Sequence, residues 1–92
     1  MTLYPSVLRG LLHQCQDYRD GRLELKDLKS AVWESARSIV AIEERCLREF
    51  LQRSEGRLDL VEHSIDQAKT FTETLPLVSE IEKEVRRALD GG

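Results

Sequence analysis

Two histidines and two cysteines head the residues of this 92-residue sequence whose chemistry needs testing. His63 follows Asp59 by one helical turn, which could begin a metal-ligand set. Structural zinc needs four converging ligands, and a two-iron site repeats a Glu-x-x-His pair on two helices. His13 lacks that spacing, and His13 and Cys15, two apart, fall on different sides of a helix. No metal or cofactor site is expected, and His63 reads as a surface residue. A nucleophilic Cys46 would need a base and surroundings that favour its thiolate. Its neighbours Ile42, Leu47 and Phe50 are apolar, so an inert core thiol is expected. Ser6, Ser30, Ser54 and Ser79 lie in no nucleophile-elbow pattern, and there is no glycine-rich phosphate loop. No catalytic residue is assigned, and the chain is expected not to be an enzyme.

Asp20-Gly21-Arg22-Leu23 with Asp27 matches the second half of a calcium-binding loop. The first half fails, because Gln16 and Tyr18 stand where calcium requires hard anionic oxygens. An ordinary turn between helices accounts for the segment. Arg37, Arg45, Arg48, Arg53 and Arg57 cluster mid-chain, the one hint of nucleic-acid binding. At about 100° per residue they scatter around a helix and form no stripe. Acids lie one turn from most of them, as in Glu44 with Arg48, Arg45 with Glu49, and Glu49 with Arg53. Such pairs are the signature of a solvated helix face. Fourteen Lys and Arg against seventeen Asp and Glu leave a net charge of −3. That overall charge recruits no phosphate backbone.

The elements that must carry these residues are helices. Five glycines, two prolines and few β-branched runs point to helix throughout. Pro5 suits a first turn, and Leu8, Leu11, Leu12, Cys15 and Tyr18 recur at three-to-four spacing. A helix from Pro5 to Arg19 should close at Gly21. The next begins near Leu25, with Glu24 as a weak cap and Leu23 and Leu28 placed as a hydrophobic staple. From Leu25 the pattern is strict: Leu25, Leu28, Val32, Ser35, Ile39, Ile42 and Cys46 form a heptad row, flanked by Trp33, Ala36 and Val40. A second row runs through Leu47, Leu51, Ser54, Leu58, Val61, Ile65, Ala68, Thr72 and Leu75. Steps of four through Cys46, Phe50, Ser54 and Leu58 join the two rows. Thr74-Leu75-Pro76 should end this segment. A last helix from Pro76 carries Leu77, Val78, Ile81, Val85, Ala88 and Leu89 on one face.

The expected fold is therefore all-α, one helical domain over residues 1–92. Antiparallel helical hairpins surround one long central helix spanning about 25–74. A break near Gly56, with Asp59 and Glu62 as a capping pair, would instead give a four-helix bundle. Leu58 stays in phase across Gly56, which favours the continuous helix. Such a helix would be roughly 70–75 Å long, and flanking helices of about 20 Å would not reach its middle. Ile42, Cys46, Leu47, Phe50 and Leu51 would lie bare, which predicts a homodimer whose long helices cross antiparallel.

The functional expectation is a helical protein–protein interaction module: an adaptor, inhibitor or regulatory subunit that binds itself or another protein. One alternative is a small acidic inhibitor of the immunity or antitoxin kind, which neutralises a specific enzyme by charge complementarity. A nucleic-acid-binding regulator is a further alternative. Cysteines fit for core thiols and a start that lacks a charged n-region and an apolar run predict a cytoplasmic protein without a signal peptide. No window approaches eighteen uninterrupted apolar residues, so no membrane span is expected.

Overall fold

The computed structural model describes residues 2–64 and 66–91, without the side chains of Ser64 and Gln67. Four helices follow one another: α1 (Pro5–Arg19), α2 (Leu25–Ser38), α3 (Arg45–Ser64) and α4 (Gln67–Leu89), with one 3₁₀ turn at Ile42–Glu44 leading into α3. Each helix packs on its neighbours in chain order, and α4 closes the ring on α1, while the diagonal pairs make no close backbone contact among the described residues. The result is an all-α four-helix bundle about 39 Å long and 21 by 18 Å across. No helix is long and apolar enough to cross a membrane among the described residues.

The first two helices form where their sequences place them. Pro5 occupies the first turn of α1, where its missing N–H costs no hydrogen bond. Gly21 then turns the chain at φ 76°, a left-handed geometry that a Cβ disfavours. Glu24 is the N-cap of α2, and Leu23 and Leu28 pack in the core as the staple requires. The centre of the bundle holds Leu8, Leu11, Cys15, Leu28, Val32, Ile39, Leu51, Leu58, Val78, Ile81 and Val85, all nearly free of solvent. Full burial of such side chains stabilises the fold by about 1.5–3 kcal/mol each.

The long central helix does not form. The chain leaves helical geometry at Ile39–Ala41 and again at Asp66, and Gly56 lies inside α3. Asp59 and Glu62 cap nothing; they sit in α3 and bind Lys29 of α2. The second heptad row is in the core from Leu51 to Leu58, but Ala68 and Thr72 are exposed, because α4 begins with a new phase. Asp66 caps α4, its side chain accepting from the Ala68 N–H. Pro76 lies inside α4 as well. A proline there deprives the Thr72 carbonyl of its partner, yet Thr72 and Pro76 both face solvent, where water can take that bond. Buried Thr74 donates to the Thr70 carbonyl at 2.6 Å just before the proline, and Val78, Ile81 and Val85 anchor the helix beyond it.

Ion pairs tie the bundle across its grooves. Arg19 of α1 clamps Glu82 of α4 through Nε at 3.0 Å and Nη2 at 2.6 Å, and also donates to Ser79. Lys29 of α2 reaches Asp59 at 2.7 Å and Glu62 at 2.5 Å, both on α3. Arg57 of α3 meets Glu80 of α4 at 2.8 Å. Glu82 is only 6 % exposed, and the guanidinium beside it is the partner that a buried carboxylate needs.

Candidate functional site

The five residues expected to form a bare mid-chain face separate into three environments. Leu51 is wholly buried, so it is a core residue and no part of a surface. The break at Ile39–Ala41 lets α2 fold back along α3 and cover it. Leu47 and Phe50 are half-buried at the edge of the core. Ile42 and Cys46 remain outside, and Ile42 is 83 % exposed. The heptad row that begins at Leu25 is thus buried from Leu28 through Ile39 and then emerges into solvent.

Two segments build this end of the bundle. One is the α2–α3 connection, where Ile39 (φ −90°, ψ 94°) and Ala41 (φ −68°, ψ 134°) are extended. The other is the N-terminal strap formed by Thr2, Leu3 and Tyr4. The Tyr4 hydroxyl oxygen accepts the backbone N–H of Val40 at 3.1 Å and that of Ala41 at 3.0 Å. The Glu44 carboxylate accepts the Leu3 N–H at 2.8 Å and the Thr2 hydroxyl. Sequence reading missed both anchors, because they lie some forty positions from what they hold. The run Ile39-Val40 followed by Ile42 was the local signal, since adjacent β-branched residues resist helical geometry.

The strap and the connection carry three of the most exposed large apolar side chains: Leu3 at 62 %, Val40 at 69 % and Ile42 at 83 %. Beside them a groove of about 300 Å³ runs between α3 and the last turns of α4. Cys46, Leu47, Phe50 and Ala88 supply its apolar lining, and Glu43, Glu44, Glu84 and Arg87 its polar lining. No family model, curated protein or solved structure matches this chain. The geometry of the site must therefore carry its interpretation.

Elsewhere the carboxylates of Asp59 and Glu62 are engaged and the Cys15 thiol is sealed. Asp59, Glu62 and His63 bring three ligand atoms within 4.8 Å of one another, a grouping only half legible in the Asp59–His63 spacing. Lys29 already sits among them as the cation. Its hydrogen bond holds the Asp59 carboxyl below the usual carboxylate range, and the same contact holds Lys29 above the ordinary lysine value. His63 is exposed, its Nδ1 2.9 Å from the Asp59 carbonyl oxygen. Cys15 is buried, and burial pushes its thiol up to about 12, with the Glu82 charge adding to the effect. Cys46 is exposed, contrary to the expected core thiol, because the break turns its face of α3 outward. Of the sequence-expected pairs around the arginines, Arg45–Glu49 stands at 3.8 Å, whereas Glu44 has been taken by the strap.

Proposed function

We propose that this chain is a non-enzymatic helical interaction module that pairs with a second copy of itself through the end of the bundle bearing Ile42. The observation that carries this reading is the clustering of Leu3, Val40 and Ile42 on two adjoining segments, each more than half exposed. Scattered apolar residues on a surface are ordinary, but a group at one place beside an apolar-floored groove marks a contact surface. Drying side chains of this size contributes about 1.5–3 kcal/mol each, which bears directly on association. The sealed Cys15 thiol and the cation already held by Asp59 and Glu62 support the non-enzymatic part.

Sedimentation equilibrium at micromolar concentrations tests the reading. The wild-type chain should be a dimer, and Ile42→Glu a folded monomer with unchanged helical circular dichroism. Ile42 contributes almost nothing to the core, so the substitution separates association from folding. A wild-type monomer, or a dimer indifferent to Ile42→Glu, contradicts the proposal.

A further inference from the structure

The strap holds two backbone N–H groups that a continuous helix would use for itself. In an unbroken helix the N–H of Val40 would bond the Ala36 carbonyl, and that of Ala41 the Arg37 carbonyl. In the bundle both are given to the Tyr4 oxygen, and the Ile39 N–H already bonds Ala36 at 3.2 Å. Only Ile39, Val40 and Ala41 lie outside helical or 3₁₀ geometry between α2 and α3. The heptad row crosses them in phase, from Ile39 to Ile42 and on to Cys46. The heptad pattern is therefore that of one helix from Leu25 to Ser64, opposed locally only by the slight helix aversion of the β-branched Ile39-Val40 run, while contacts from the N-terminus hold the hairpin.

We infer that the second copy binds by exchange at this hinge: α2 and α3 join into one helix, and α3–α4 of each chain packs on α1–α2 of the other. The inference rests on the reading of the chain as a self-associating module and specifies the form of the pair. An exchanged dimer keeps the contacts of the bundle core, with those of α2 on α3 and of α1 on α4 now between chains, so its cost lies mainly in the hinge. The register is fixed by an ion pair already present. Lys29 stands against Asp59, and the position midway between them is residue 44. A two-fold axis at that point crosses the two helices antiparallel and sets Ile42 of one chain near Cys46 of the second copy. These two residues continue the buried row yet are exposed in the hairpin, so the exchange explains why apolar side chains stand there. The joined helix of forty residues would be about 60 Å long, well beyond the present 39 Å extent. Release of Tyr4 and Thr2 from the connection is the step that permits it.

Zero-length cross-linking of isotope-mixed protein tests the exchange. Full-length chains of ordinary and ¹⁵N composition are unfolded together, refolded, treated with a carbodiimide and digested. The reagent joins the Lys29 amine to the carboxylates it touches, Asp59 and Glu62. Exchange predicts that about half of these cross-links in the dimer fraction join a light to a heavy peptide. Tyr4→Phe removes the acceptor for both hinge N–H groups and should raise the association constant about tenfold or more. Ala41→Pro should lower it: in the hairpin φ −68° accepts proline at the loss of one of the two bonds to Tyr4, whereas in the joined helix the ring also clashes with the preceding turn. A dimer whose Lys29 cross-links are all within one isotope overturns the exchange and leaves the proposed self-association standing. Wild type and Tyr4→Phe both monomeric at hundreds of micromolar overturns the two together. A monomeric wild type with a cross-exchanged Tyr4→Phe dimer upholds the hinge and removes the dimer as the resting form.

Discussion

The bundle has two well-described joins that reverse the chain over a few residues, and they are specified in opposite ways. Between α1 and α2 every backbone bond is local: Asp20 N–H to Gln16, Gly21 to Tyr18, Arg22 to Asp17, and Asp27 and Leu28 to Glu24. Between α2 and α3 the two freed N–H groups bond a side chain thirty-six and thirty-seven positions away. The first join can form before the rest of the chain is in place. The second is a tertiary structure that exists only once the strap arrives. Local joins give rigid corners, whereas a remotely held one can be let go, and three of the most exposed apolar side chains, Leu3, Val40 and Ile42, lie at the remotely held end.

Breaking the long-range tie nearest the first join tests this contrast most severely. Arg19, the last residue of α1, leaves Glu82 with no cation if replaced by methionine. A buried carboxylate without its partner costs about 3 kcal/mol, so Arg19→Met should lose that much in urea unfolding. The double change Arg19→Met with Glu82→Leu should regain most of it, since apolar residues replace a buried pair well. The α1–α2 turn should keep its local hydrogen bonds in both variants, as protection of the Gly21 and Arg22 amides from exchange would report. Loss of that protection at unchanged global stability would make the first join as dependent on distant contacts as the second.

The cysteines sharpen the same comparison. Cys15 lies in the core under the Arg19–Glu82 pair, while Cys46 follows the second join and is exposed. The Cys15 thiol is pushed up to about 12 in the folded chain, against an ordinary value of 9.0. A raised folded value means the stability is fully present below pH 9 and falls as the pH climbs from 9 toward 12. The expected slope is about −1.4 kcal/mol per pH unit, because only the unfolded thiol gives up its proton in that window. Cys15→Ala should flatten this slope in chemical denaturation measured at pH 8.5 to 10.5. Its lower stability at neutral pH, from the cavity it leaves, is a separate effect. An unchanged slope would place the alkaline sensitivity in other groups.

The same division explains what the sequence made legible. Pro5, Gly21, Glu24 and the Leu23–Leu28 staple act within one or two turns, and α1 and the start of α2 lie where those residues put them. The core positions of the last helix, Val78, Ile81 and Val85, were equally plain from their spacing. The break at Ile39–Ala41 was hidden because the heptad row runs through it, and because Tyr4 and Glu44 act across some forty residues. Pro76 misled in the opposite direction, whereas Gly56 was expected inside a helix and lies there. Each carries a local propensity against helix, and at each the packing of neighbours on the same helix outweighs it. The apolar site was therefore half visible. Ile42, Cys46, Leu47 and Phe50 were picked out by type, but which of them face water depended on where the chain folds back. Leu3, Val40 and the strap had no signature by themselves.

Glycine offers the smallest and cleanest test, because the chain uses it in two unlike ways. Gly21 sits at φ 76° in the locally coded turn, with open space around the position of a Cβ. The cost of Gly21→Ala is thus purely conformational, about 1–2 kcal/mol. Gly56 is also in open space, but in ordinary helical geometry on the exposed side of α3. There alanine removes the entropy that glycine loses on folding, and Gly56→Ala should gain up to about 1 kcal/mol. For a chain of this size that is a rise in Tm of roughly 4–8 °C. The opposite signs carry the argument: the turn needs its glycine and the helix does not. If Gly56→Ala instead destabilised the protein, α3 would bend or break at that point, and Leu58 could not be held in the core by the helix that now runs through both.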